Sequence, residues 1–222
     1  MDKLLIVANL KSYKTENEAK EWLEKFIKIK ESGQNLGTKE IVICPPFQLL
    51  FMFREYATDK GLPVKIGAQN VSPFDEGPYT GEVNATQIKD FAEYVLIGHS
   101  ERRNNFGETD VMLSKKTELS LKYGLTPIFL VQGKDSLIPQ GIEIIAYEPV
   151  SAIGSGNPDT PENANQTASA IKSKNNTYRI LYGGSVTPEN VKSFTSMTSI
   201  NGVLVGGASL DPSEFIKIIG NA

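Results

Sequence analysis

Glu148 closes the apolar run IIAYE, and Pro149 follows it at once, ahead of a loop holding Gly154, Ser155 and Gly156. Two other apolar runs end in the same way. LLIVAN leads into Asn9 and Lys11, and YVLIG leads into His99, Ser100 and Glu101. A carboxylate, an imidazole and an ammonium are groups with which proteins move protons and hold anions. Two later runs end in paired glycines. LYGGSV places Gly184 before Ser185, and VLVGGASL contains Gly206 and Gly207. A glycine pair lets backbone N–H groups approach an anion with no Cβ in the way. The chain carries a net charge of −3, so anion attraction must be local, from Lys11 and oriented N–H dipoles. A phosphate monoester is the expected ligand.

These residues can meet only if the elements bring them together. Short β-forming runs recur at 4–9, 40–44, 64–69, 94–98, 126–131, 142–148, 179–183 and 202–206. They are mostly continuous rather than alternating, as expected of parallel strands buried on both faces. Helix signals lie between most of them. Thr15 with Glu18 and Asn84 with Gln87 have capping-box spacing. Thr160-Pro161, Thr187-Pro188 and Asp211-Pro212 each put a capping side chain before a proline suited to a first helical turn. Eight strands alternating with helices predict a single (β/α)8 barrel over residues 1–222, although an open doubly wound sheet has the same periodicity. In a barrel all eight strand ends share one rim, where residues nearly 200 positions apart converge. One interval is anomalous. Only QGKDSLIPQG separates Val131 from Ile142, too few residues for a crossover with a helix in it. The helix after the fifth strand is expected to be missing or reduced to one turn, leaving strands five and six to be covered by a neighbour, another subunit or polar side chains.

Composition excludes several function classes. The acidic balance and the absence of any Lys/Arg cluster argue against nucleic-acid binding. No segment approaches the length of a membrane span, and the apolar start MDKLLIVA stops short of a signal-peptide core. Cys44 is the only cysteine, so no intrachain disulfide can form and a reducing, cytoplasmic location is expected.

Taken together, NLK, NVSPFDEGPYTGE, VLIGHSERR, AYEPVSAIGSG, YGGSV and GVLVGGASL, collinear from residue 9 to about 210, resemble the triosephosphate isomerases. That resemblance implies a TIM barrel that interconverts glycerone phosphate and D-glyceraldehyde 3-phosphate through an enediolate, in glycolysis and gluconeogenesis, with no cofactor and no metal. It implies that Glu148 is the base and that His99 polarises the substrate carbonyl. Lys11 and Asn9 would stabilise the charge that develops. Glu101 would hold Lys11, and Ser100 would hold Glu148 at rest. Gly154, Ser185, Gly206 and Gly207 would bind the phosphate. The chain departs from the family pattern around its sixth loop. Ser151 stands where a tryptophan is usual, and Asn157-Pro158-Asp159 replaces a Lys-Thr-Ala-like triplet. Leu130, Val131, Gln132 and Gly133 occupy the usual CVGE positions, and NLKSY replaces NWKMN.

The loop at 70–82 carries Phe74 and Tyr79 among turn formers, which would leave costly apolar area on a free surface. In the family the matching loop projects into a partner subunit, so a homodimer is expected. FQLLFMF, at 47–53, is apolar on nearly every helical face and predicts extra burial there. Two other readings accommodate the same residues: a barrel enzyme acting on a different sugar phosphate, and a non-catalytic relative kept for binding.

Overall fold

The computed structural model describes residues 3–31, 33, 36, 39–149 and 158–222. Eight parallel strands close into a barrel in chain order. They are β1 (Leu5–Asn9), β2 (Glu40–Cys44), β3 (Lys65–Ala68), β4 (Tyr94–Ile97), β5 (Thr126–Val131), β6 (Ile144–Tyr147), β7 (Arg179–Tyr182) and β8 (Gly202–Val205). The open-sheet alternative falls on one ladder. β1 pairs with β8, Leu5 opposite Gly202, as well as with β2. That seam needs its glycine. Gly202 has φ 153°, and a Cβ there would lie 1.9 Å from the Leu5 carbonyl oxygen.

Barrel geometry explains why the strand runs are mostly continuous in apolar residues. Successive side chains alternate between two cores. Leu5, Val7, Leu96, Leu130 and Leu204 fill the barrel interior. Ile6, Ala8, Ile97, Phe129 and Ile145 face outward into the layer beneath the helices. The helices are α1 (Glu16–Glu31), α2 (Leu50–Asp59), α3 (Ala85–Ile88), α4 (Ser100–Phe106), α5 (Asp110–Lys122), α6 (Pro161–Lys172), α7 (Val191–Thr195) and α8 (Pro212–Asn221). None of them is long and apolar enough to cross a membrane, among the described residues.

Most of the predicted helix starts form. Glu18 Oε2 accepts from Thr15 N–H at 2.7 Å, Asn84 and Gln87 complete a reciprocal box, and Thr160 and Asp211 cap helices with proline in the first turn. Thr187-Pro188 behaves differently. Thr187 Oγ1 accepts from Glu189 N–H at 3.3 Å within a turn, and α7 begins three residues after Pro188, at Val191. The apolar run at 47–53 is only partly buried within the single chain. Leu49, Leu50 and Phe53 are buried, but Phe51 remains 60% exposed, standing edge-on to Phe91. One helix face can meet the barrel, and Phe51 lies off it.

The anomalous interval contains no helix: β5 leads through residues 132–143 directly into β6. Two helices, α4 and α5, instead follow β4. The outer faces of β5 and β6 are covered by apolar side chains, in part from the neighbouring helix α5, and not by polar groups. Phe129, Val131 and Ile145 are fully buried in a cluster that includes Ile142 and Leu113, with Ile138 packed against it. Ile138 and Ile142 belong to the connection itself, so a short irregular segment shares with α5 the covering that a helix would have done.

Charge closes the opposite, N-terminal end of the barrel. Glu40 accepts from Tyr94 Oη at 2.6 Å, Lys65 Nζ at 2.9 Å and Arg179 Nη1 at 3.3 Å. Partial burial alone would raise the Glu40 carboxyl, but these donors outweigh it and bring its pKa down to about 2.

Candidate active site

Lys11 sits just beyond β1 in a left-handed backbone conformation, φ 51°, which a lysine adopts only when its surroundings impose it. Its N–H donates to Asn9 Oδ1 at 3.0 Å. Its ammonium reaches Glu101 Oε1 at 2.5 Å. Gly206, beyond β8, leaves room for this side chain, since a Cβ there would lie 3.1 Å from Lys11 Cε. Trp22 in α1 reaches the same region: its Nε1 donates to Ser209 O at 3.1 Å, and Ser209 Oγ lies 3.2 Å from Asn9 O.

His99 occupies the N-cap of α4, and its Nδ1 accepts from Glu101 N–H at 3.2 Å. With Nδ1 used as an acceptor, the proton of the neutral ring belongs on Nε2. Nε2 faces Glu148 Oε1 at 3.3 Å. The other carboxylate oxygen, Oε2, accepts from Ser100 N–H at 2.9 Å. Ser100 therefore touches Glu148 through its backbone amide at the start of α4, where the helix dipole also favours a negative group. Its hydroxyl is buried with no hydrogen-bond partner among the described residues. Glu148 is only 2% exposed. Burial pushes its carboxyl above the ordinary glutamate value, against the opposing pull of His99 and the Ser100 amide. Gly183 makes space for it, because a Cβ there would come within 3.1 Å of Glu148 Cγ.

Asn9, Lys11, His99 and Glu148 open into one cavity of about 330 Å³, lined further among the described residues by Gly183–Thr187, Leu204 and Gly206–Ala208. Ser185, Gly206 and Gly207 thus line the same cavity as the base, and Gly207 has open space where a Cβ would be. Glu101 stands behind Lys11. Gly154, Ser151 and Asn157 lie outside the described residues. Pro158 and Asp159 are described, and the Asp159 N–H donates to Tyr182 Oη at 2.9 Å, with the Tyr182 ring stacked on Phe194 at 3.9 Å.

A second groove, of about 280 Å³, shares Asn9, Lys11 and His99 with the first and continues outward past Glu101, Gln69, Phe47 and Phe106. Gln69 carries no sequence signal of its own, since it ends VKIGAQ as an ordinary amide. Its one clue is position, just after a strand on the rim that holds the other polar residues. Gly183 belongs to the LYGGSV glycine pair, but the room it makes for Glu148 carries no sequence signal.

The arrangement can therefore take a proton at Glu148, place a donor and a cation opposite it, and receive an anion between two glycine pairs. Comparison with known proteins points the same way. A sequence model described as triosephosphate isomerase matches residues 4–142 and 136–222. Proteins named triosephosphate isomerase from Dictyoglomus thermophilum and Thermodesulfovibrio yellowstonii are 39% and 40% identical over 252 and 250 aligned positions, covering 99% of each chain. One from Aquifex aeolicus is 40% identical, covering 97% of this chain and 98% of its own. The alignments are longer than the 222 residues of this chain, so the relatives carry segments that it lacks. The two matched segments meet at 136–142, inside the connection where no helix forms. With identity at this level over nearly the whole length of both chains, the chain belongs to the triosephosphate isomerase family.

Proposed function

We infer that the chain interconverts glycerone phosphate and D-glyceraldehyde 3-phosphate by carrying one proton between adjacent carbons through an enediolate. One observation carries the assignment of roles: a buried carboxylate, Glu148, lies 3.3 Å from His99 Nε2 in the same cavity as the Lys11 ammonium. In this reading Glu148 takes the proton from the carbon beside the carbonyl. His99 donates from Nε2 to the carbonyl oxygen, while Lys11 and Asn9 stabilise the negative charge that appears there. Glu101 fixes the direction of Lys11, and the Ser100 amide parks Glu148 between turnovers. Ser185, Gly206 and Gly207, joined by Gly154, hold the phosphate. A cytoplasmic location fits a single, buried cysteine.

A coupled assay of glyceraldehyde 3-phosphate isomerisation tests the activity. Turnover is expected, and its absence would favour either a different sugar phosphate or a binding role. The pH profile tests the base. Glu148 works ionised, and its folded-state pKa is raised, so activity is lost as pH falls through that raised value. The acidic limb of kcat/KM is therefore expected above the ordinary glutamate value of 4.5. A limb at or below 4.5 would remove Glu148 from the role.

The same reading includes a homodimer through loop 70–82. Phe74 and Tyr79 stack at 4.2 Å yet stay 44% and 42% exposed, and the groove beside Lys11 offers two rings, Phe47 and Phe106, among its polar lining. Burying such a pair on a second copy removes apolar area from water. Light scattering after size exclusion at micromolar concentration is expected to give twice the 24.3 kDa chain mass; a monomer would contradict it.

A further inference from the structure

We propose that Gln69 is a positioning residue for the reaction: its side-chain amide holds the Lys11 backbone in the left-handed conformation that aims the ammonium into the cavity. This rests on the role of Lys11 given above. Gln69 directly follows β3, and its Nε2 donates to Lys11 O at 2.9 Å and to Cys44 O at 2.8 Å. An amide NH₂ has two protons, and both are used here. The Cys44 carbonyl also accepts from Leu10 N–H at 3.1 Å, so one side chain ties the ends of β1, β2 and β3 together.

The tie falls where strain is concentrated. Lys11 at φ 51° and Lys14 at φ 79° are the non-glycine residues with positive φ among those described. Such a conformation disfavours an L-residue and persists only where its surroundings over-determine it. Three hydrogen bonds do so at Lys11. Asn9 takes the N–H, Glu101 takes the ammonium, and Gln69 supplies the carbonyl's partner. Asn9 lines the cavity itself, and Glu101 lies with Gln69 along the outer groove. Gln69 acts from behind, from the outer groove, and is not among the residues lining the cavity with Glu148. Loss of the Gln69 bonds would let the 11–12 peptide rotate toward the ordinary β or right-handed region and swing the ammonium away from the anion. A displacement of about 1 Å at a reacting group costs on the order of 10²-fold in rate.

The experiment compares Gln69→Met, which keeps the length and loses both donors, with Gln69→Glu and with Lys11→Ala. Kinetics, melting temperature and subunit mass are measured for each. For Gln69→Met, kcat/KM is expected to fall by about 10- to 100-fold, with KM raised, weaker competitive inhibition by inorganic phosphate, and the mass unchanged. Gln69→Glu, which turns a carboxylate toward two carbonyl oxygens, is expected to lose at least as much at pH 8. Its activity relative to the parent should recover as the pH falls and the carboxyl regains one proton to donate. A kcat/KM for Gln69→Met within about twofold of the parent, alongside an inactive Lys11→Ala, would overturn the proposal while leaving the site intact. So would a loss that follows only the unfolded or dissociated fraction, with KM unchanged. Full activity in Lys11→Ala would instead overturn the role of Lys11.

Discussion

Glu148→Asp is expected to lower kcat by about 10²–10⁴-fold, the usual worth of a positioned general base, with little change in melting temperature. The substitution keeps the carboxylate and shortens its arm by one methylene. Oε1 now lies 3.3 Å from His99 Nε2, and Oε2 lies 2.9 Å from Ser100 N–H. Withdrawing both oxygens opens a gap to the substrate carbon that neither His99 nor Lys11 can fill, because both act on the oxygen. Near-normal turnover in this variant would rule Glu148 out as the base. Glu148→Gln gives the complementary result. Burial holds the Glu148 pKa above its unfolded value, so the native state is penalised for ionising this group, and the penalty is fully present at pH values above the folded pKa. A neutral amide of the same shape removes it, offset in part because its NH₂ must face either the Ser100 N–H or the His99 Nε2 proton. Glu148→Gln is therefore expected to be inactive yet to melt at a higher temperature than the parent at pH 8, the trade-off expected where a functional group is buried against its preference. A lower melting temperature would contradict the balance drawn here.

Lys116→Met is expected to cost roughly 3–5 kcal/mol of stability, the range for breaking a buried ion pair from one side. Lys116 and Glu108 are each 2% exposed at the side chain and in direct contact. Lys116 Nζ also donates to Asn70 Oδ1 at 2.6 Å, and Arg102 Nε reaches the same Glu108 oxygen at 2.6 Å. The second oxygen of Glu108 is buried with no hydrogen-bond partner among the described residues, so this carboxylate has little margin. Removing Lys116 leaves it to Arg102 alone and frees Asn70, at the root of loop 70–82. For a chain of this length such a loss corresponds to a fall of roughly 10 °C in melting temperature. Urea denaturation at fixed protein concentration measures it directly. Lys116→Met combined with Glu108→Gln should recover part of the loss, because the second change removes the stranded charge. A single variant as stable as the parent would show that the pair contributes nothing net.

Much of the barrel was legible because its physics is local. A strand buried on both faces reads as a mostly continuous apolar run, and the eight runs do so apart from end residues such as Glu40, Lys65 and Arg179. A helix start needs a capping oxygen, and Thr15, Asn84, Thr160 and Asp211 supply one. Even the absent helix could be read, since ten residues cannot hold both a crossover and several turns. Thr187-Pro188 misled for a related reason: the signal marks a hydrogen-bonded turn, and only the following chain decides whether that turn continues as helix.

Side chains whose meaning lies in a distant partner were not legible. Gln69 is an unremarkable amide until β1 and β2 bring two carbonyls to it. Lys116 reads as one more charge on a Lys/Glu-rich helix until Glu108 and Asn70 close around it. The cover over β5 and β6 came in part from Ile138 and Ile142, whose contribution depends on the path of a segment with no periodicity of its own.

The sequence by itself determined the chemistry available, a carboxylate, an imidazole, an ammonium and two glycine pairs, and placed each of them just after a strand. Only the tertiary structure decided that these groups share one cavity, that Nε2 rather than Nδ1 of His99 faces the base, and that Lys11 holds a left-handed backbone. The physical reason is the closure of the barrel. Residue types and their spacing are properties of the chain, but a 3.3 Å approach, a tautomer and a strained φ are set by neighbours that arrive only when β1 pairs with β8.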